Sequence, residues 1–270
     1  MSTLARVSLS LARREMVRFF RQPQRVIGTV AQPLLFWLFL GFGFGGSFHP
    51  PGMETVSYLE YFYPGVMLML MLFSAVFSTI TVIEDRDAGF LQGVLVAPVS
   101  RLAIVLGKVA GATAIALLQA LIFLIAAPLL GLVVNPASLG LVLGGLVLAG
   151  IGFSTLGFLL AWGMRSTAAF HAVMMVFLMP LWMLSGALFP LDTVPVVMKA
   201  VMLANPVSHA LVIIRAPFYT EVSQLLRDGH YLLSLAVSVA WAAGGLALAL
   251  VRVNRTETGL APERVVVEQG

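Results

Sequence analysis

The chain has 270 residues, of which 60% are hydrophobic and 10% charged, with a net charge of +4 and a mean hydropathy of +0.99. A water-soluble domain carries about 25% charged residues because its surface faces water, so this composition excludes a soluble globule and leaves apolar side chains to face lipid. The absence of cysteine excludes disulfide frameworks and thiolate-ligated zinc or iron–sulfur centres.

The chain opens with Arg6, Arg13, Arg14, Arg18, Arg21 and Arg25 ahead of the first long apolar run. Ala5, Leu9, Ala12, Met16 and Phe19 recur at helical spacing on one side, with Arg6, Arg13, Arg14 and Arg21 on the other. This pattern predicts an amphipathic helix over 1–22, lying in the membrane interface with its arginines among anionic headgroups. A solvated basic tail is the alternative. Membrane lipids are the partner this cluster fits; nucleic acid is not, because no basic groove interleaved with aromatics accompanies it. Pro23 ends the helix and turns the chain.

A helix needs about 20 apolar residues to cross the hydrocarbon core. Six runs qualify: Val26–Gly46, Tyr61–Ile83, Ala103–Val134, Ser138–Met164, Ala168–Phe189 and Tyr231–Val251. The first is longer than the core of a secretory signal. The third is long enough to be tilted, or kinked near Pro128. Asn135-Pro136 marks the turn into the fourth. The fold class is therefore all-α membrane protein. Its parts are an interfacial helix (1–22), a six-span transmembrane domain (23–252) and a cytoplasmic tail (253–270).

Lys and Arg set the orientation. With the N-terminus inside, the inner segments hold the N-terminal arginines, Arg86, Arg101, Lys108, Arg165, Arg252, Arg255 and Arg264; the outer ones hold Lys199, Arg215 and Arg227. The bias predicts both termini in the cytoplasm and residence in the plasma (inner) membrane.

Two connections stand out. In the inner one, from Glu84 to Arg101, the acids Glu84, Asp85 and Asp87 fall where a short helix would begin, as the helix dipole favours. Phe90, Leu91, Val94 and Leu95 then form an apolar stripe, and Pro98 stops the helix. This is either a docking knob for another protein or a loop helix packed under its own bundle. The outer connection, Pro190 to about Gly229, holds apolar stretches Val196–Ala204 and Val207–Ile214, both too short to span. They read as half-helices dipping into the outer leaflet, broken at Asn205-Pro206, with Arg215 facing outer water or headgroups.

No Asp, Glu or Arg lies deep in any predicted span, and His171 is the only ionisable candidate for an ion path, near an inner end. That argues against an ion-coupled carrier. Gln32, Ser74, Ser78, Thr79, Thr81, Gln119, Ser154 and Thr155 supply either a mildly polar path or helix-to-helix bonds. The single acidic cluster admits a magnesium-dependent prenyl or lipid-diphosphate transferase, although such enzymes show two aspartate-rich motifs. No nucleophile–base pair, metal site or phosphate-binding loop of the Gly-x-x-x-x-Gly-Lys-Ser/Thr type is present, so the chain binds no cofactor of its own and any ATP is hydrolysed elsewhere.

Three stretches together resemble the ABC-2 type permeases, the membrane subunits of a class of ATP-binding-cassette exporters. They are Glu84-x-Arg86-x-x-Gly89 with Leu95-x-x-Pro98-Val99-Ser100-Arg101 and Gly107-Lys108; Pro180-Leu181-x-x-x-Ser185-Gly186-x-x-Phe189-Pro190-Leu191-Asp192; and Asn205-Pro206-Val207-Ser208-His209 leading to Arg215. The likeness is to the drug, nodulation-factor and capsular-polysaccharide branches, apart from His209, where an aromatic residue is common. It implies that the chain is not itself an enzyme. It implies a coupling helix at 86–98, with Glu84, Arg86, Asp87, Gly89, Phe90, Leu91, Val94, Leu95, Pro98 and Arg101 engaging a nucleotide-binding ATPase subunit in two copies. ATP and magnesium belong to that subunit. The resemblance also implies a second permease copy, and an outer gate at Ser185, Gly186, Phe189, Pro190, Asn205 and Pro206.

Overall fold

The computed structural model describes residues 2–44, 56–125, 127–130, 132 and 135–255. Among them every regular element is helical. Six helices are long and apolar enough to cross a membrane, as the hydropathy predicts.

Helix α1 (Thr3–Phe20) begins at Ser2, whose hydroxyl accepts from the Ala5 N–H, and stops before Pro23. Helix α2 (Pro23–Phe44) is the first span; the predicted end at Gly46 lies outside the described residues. Helix α3 (Tyr58–Ser78) starts in a reciprocal cap between Ser57 and Glu60 and runs on, after a slight break at Thr79, into α4 (Thr81–Asp87). Together they make one crossing, Tyr58–Asp87. A positive φ of 74° at Gly89 turns the chain into the short α5 (Phe90–Val96), a conformation that favours glycine.

Helix α6 (Arg101–Ile125) ends sooner than the predicted run to Val134. A 3-10 turn over Ala127–Leu130 follows, because Pro128 cannot continue the i→i−4 ladder. Asn135 caps α7 (Pro136–Gly163), with Pro136 in its first turn. Helix α8 (Thr167–Trp182) passes into a wide turn, Met183–Ala187. Two shorter helices, α9 (Val196–Ala204) and α10 (Pro206–Tyr219), meet at an 83° bend, and α11 (Val222–Leu225) leads to α12 (Gly229–Arg255). That last span outruns the predicted Val251, its final turn carrying Arg252 and Arg255, where cations are favoured by the helix dipole.

Helix α3 is the central post. It is apolar on all sides and buried almost throughout, as such a helix must be, and it packs against α2, α6, α7 and α10. Helices α2, α8 and α12 are far less buried and form the outside of the bundle. One end of the bundle carries α1, α4 and α5; the opposite end carries α9, α10 and α11.

Candidate functional site

At the α4–α5 end, α1 lies along the first half of α6. Gly107 and Gly111 form its seat: a side chain at Gly107 would come within 2.7 Å of Leu11, and one at Gly111 within 2.8 Å of Glu15. The side of α1 that enters this seat carries Leu11, Glu15 and Phe19. Of the predicted apolar side, Phe19 is buried in this seat, whereas Leu9 is 59% exposed.

Glu15 is buried because Lys108 meets it. The Lys108 ammonium donates to Glu15 at 2.7 Å, closely to Asp85, and to the Thr81 hydroxyl at 3.3 Å. Arg14 closes on Asp85 with two parallel hydrogen bonds of 2.7 and 2.8 Å. Arg18 reaches Asp85 at 3.0 Å and Glu84 at 2.7 Å. Three acids thus face three bases, and the cluster is neutral. Asp85 is 1% exposed, and Lys108 and Glu15 are each 3% exposed. Hydrogen bonding to Asp85, helped by its charge, holds the Arg14 guanidinium above its ordinary value despite partial burial. The same guanidinium lies 3.8 Å over the Phe90 ring, which ties α1 to α5.

These contacts correct two sequence expectations. The acids do not open the short helix: Glu84, Asp85 and Asp87 end α4, two residues before α5 begins. What outweighs their unfavourable place in the helix dipole is the row of cations across from them. His171 is also not the only ionisable group within a crossing, for Lys108 is buried in α6 and Asp85 near the end of the crossing made by α3 and α4. Asp85 is saturated by cations, so the acids do not offer the free carboxylate cluster that a magnesium diphosphate requires.

The remaining inner residues divide by role. Arg86 donates to the carbonyls of Trp162 and Met164, each at 2.8 Å, and so caps α7. Arg101 donates to Leu95 O at 2.8 Å and caps α5. Leu91 is 3% exposed, and Val94 and Leu95 are half-buried with it against the bundle. Asp87, Gly89, Pro98 and the edge formed by Gln92, Gly93 and Val96 are exposed, Val96 at 86%. Helix α5 is thus anchored by its apolar stripe and presents a small, mostly uncharged edge outward.

At the other end, the wide turn of α8 strands several carbonyls. Gly186, at φ 85°, is the pivot. In lipid every such group needs an internal partner, and α3 and α10 supply them. Asn205 donates to Leu181 O at 2.7 Å and Leu184 O at 3.2 Å. Ser208 donates to Leu184 O at 3.2 Å, and Ser185 to Trp182 O at 2.6 Å. Arg215 donates to Gly186 O at 3.0 Å and Ala187 O at 3.3 Å, and its guanidinium rests 4.3 Å over Tyr61. Arg215 therefore turns into the bundle, not out to water as expected from the sequence. Phe189 and Pro190 form the half-buried exit from the turn, and Pro206 opens α10. His209 bridges Ser234 and Leu203 O at 3.1 and 2.9 Å, joining α10 to α12 and α9.

Between α2, α4 and α8 a cleft of about 600 Å³ opens near the α5 end, with Gln32, Glu84 and His171 beside Phe77, Ile80 and Met175. His171 stacks on Phe77 at 5.3 Å. Deeper in the bundle, Ser154 is bonded across helices, to Thr113 of α6 at 3.0 Å, and Thr155 donates within α7 to Ile151 O at 2.6 Å.

The trio Glu15–Lys108–Asp85 escaped the sequence reading. Two signals point to it: Lys108 is a lone cation inside an apolar run, which demands a buried anion, and Glu15 is the sole acid ahead of Glu54.

Comparison with known proteins matches this arrangement to a family. The sequence profile of the ABC-2 type transporter family aligns with residues 7–219. A transport permease, ycf38, of Cyanophora paradoxa is 30% identical over 230 residues, 83% of this chain and 78% of its own. The daunorubicin resistance ABC transporter permease protein DrrB1 of Streptomyces coeruleorubidus is 29% identical, over 77% of this chain and 74% of its own. Nodulation protein J of Rhizobium leguminosarum bv. trifolii is 31% identical, over 70% and 72%. With six apolar crossings and this match from α1 through α10, the chain belongs to the ABC-2 type transporter family and is the multi-pass membrane permease of an ABC transporter, a subunit that partners an ATP-binding protein.

Proposed function

We propose that the chain exports an amphiphilic drug, lipid or glycan, driven by ATP hydrolysed on a separate nucleotide-binding subunit. The permease spans the plasma membrane with both termini inside and works as a pair of copies with two ATPase subunits; ATP and magnesium belong to those subunits. The observation that carries this reading is α5. It projects an exposed edge at the arginine-rich end, yet it is tied to α1 through Phe90–Arg14, to α6 through Arg101–Leu95, and packs on α4, whose Asp85 pairs with Lys108 of α6. A push on α5 is passed at once to α1, α4 and α6, because ion pairs and packed side chains move as units. The broken end of α8, with Ser185, Gly186, Asn205 and Pro206, serves as the outer gate, and α9–α10 as re-entrant half-helices. The amphiphilic cargo suits the cleft between α2 and α8, where a few polar groups sit among apolar ones.

The test is Val96→Asp, which changes an exposed edge without touching the fold. Co-purified ATPase subunit and transport-coupled ATP hydrolysis should drop at least tenfold, with the permease eluting as the wild type does. Wild-type capture and coupling in this variant would remove α5 as the docking element. Leu91→Asp is the contrasting variant: its side chain is buried, so it should fail to yield a monodisperse permease at all.

A further inference from the structure

Along the side of α1 away from α6 runs an open groove of about 630 Å³, lined by Ser10, Arg13, Arg14, Val17, Arg18 and Arg21. Arg14 and Arg18 are committed to Asp85 and Glu84. Arg13 and Arg21 are not: both are exposed, and among the described residues neither guanidinium is held in an ion pair. Since the ion cluster is balanced within itself, these arginines leave the groove with uncompensated positive charge.

The place of the groove identifies its ligand. Arg21 lies just ahead of Pro23, where α2 starts. The membrane span within α2, Val26–Gly43, has 18 residues and at ~1.5 Å per residue is ~27 Å long, so all of it is needed to cross a hydrocarbon core of ~30 Å. Val26 therefore sits at the hydrocarbon boundary and Arg21, ahead of it, among the phosphates. Val17 and Phe20, both exposed and apolar, flank the arginines, so a ligand here meets charge and grease together. A guanidinium fork matches phosphate oxygens two at a time. We infer that the α1 groove is a binding site for the headgroup of an anionic phospholipid, held chiefly by Arg13 and Arg21. The inference goes beyond the export reading: it needs the bilayer but not the ATPase. An acidic surface of the ATPase is the weaker fit, because it would not reward the apolar flank or a position at the start of α2.

The experiment uses the purified permease alone, in neutral detergent at low salt, titrated with dioctanoyl-phosphatidylglycerol and, in parallel, with dioctanoyl-phosphatidylcholine and inorganic phosphate. Phosphatidylglycerol should bind saturably and the other two should not compete at the same concentration. Arg13→Gln with Arg21→Gln should weaken it roughly thirtyfold, two side chains at the strength of a basic residue beside an anionic surface. Arg13→Lys with Arg21→Lys should keep most of the affinity. Should the glutamine variant not fold, the wild type still decides: its phosphatidylglycerol affinity must fall as salt screens the groove. Equal binding of the two lipids, an affinity indifferent to salt or to the glutamine substitutions, or displacement by inorganic phosphate would overturn the site. So would glutamine variants that keep the lipid preference and lose only ATPase capture. Failure of the export reading would leave these binding results untouched.

Discussion

Lys108 lies between Glu15 and Asp85, closed off from the exterior with both. Removing one member of a buried pair leaves uncompensated charge and costs about 3–5 kcal/mol, whereas removing both can be close to neutral. Lys108→Met should therefore destabilise by ~3–5 kcal/mol. Glu15→Gln with Lys108→Gln keeps Arg14 and Arg18 matched to Asp85 and Glu84, and should recover most of that loss. Thermal unfolding in detergent measures both; equal losses in the single and double variants would show that the charges do not act as a group. Arg215 gives a second residue-scale expectation. Truncation to Ala strands the Ala187 carbonyl and leaves Gly186 O to the Tyr61 hydroxyl alone, a cost of about 1–3 kcal/mol. Arg215→Lys should recover little, because an ammonium lacks the planar guanidinium that lies flat on Tyr61 while its separate N–H groups reach both carbonyls. A change within ~0.5 kcal/mol, the usual effect at an exposed position, would return Arg215 to the solvent.

At the scale of elements, the sequence left open which side of α1 packs on the bundle. Its existence, its start and its end before Pro23 were all legible. Its burial was not, because the helix buries an acid, Glu15, and leaves Leu9 outside. Apolar periodicity sorts water from oil, and beside a membrane both the bundle and the exterior accept apolar groups. The glycine pair Gly107 and Gly111 is what locates the seat. Gly107→Val would drive a side chain into Leu11 and the Ser8 carbonyl. Such overpacking costs about 1–3 kcal/mol and should lift α1 from α6. Limited trypsinolysis reports this directly, with faster cleavage at Arg13 and Arg14 in the variant; an unchanged digestion pattern would separate α1 from that seat. The inner acids are a similar case. Their spacing was plain, but whether they start α5 or end α4 depends on Gly89, and their partners come from α1 and α6, which no local window contains.

For the whole molecule, the orientation assigned to the bundle has a simple check, since the native chain lacks cysteine. Single cysteines at Gln92 and Ser223 lie at opposite ends. With both termini inside, Ser223→Cys should react with a membrane-impermeant maleimide on intact cells, and Gln92→Cys only after permeabilisation. The reverse order would invert the proposed direction of coupling. The six crossings, their approximate limits, the charge bias between the ends and the two turn-rich connections were all determined by the sequence alone, because crossing oil demands long uncharged runs and each run carries that demand by itself. The three motif stretches likewise announced the family without any coordinates. Only the tertiary structure decided which side of each helix faces its neighbours, that Glu15, Glu84 and Asp85 are neutralised by Arg14, Arg18 and Lys108, and that Asn205 and Arg215 close the broken end of α8. The reason is physical: lipid and protein interior are nearly equivalent solvents for an apolar side chain, so hydropathy cannot tell one side from the other. A buried charge or a stranded carbonyl is settled only by the partner that folding brings to it.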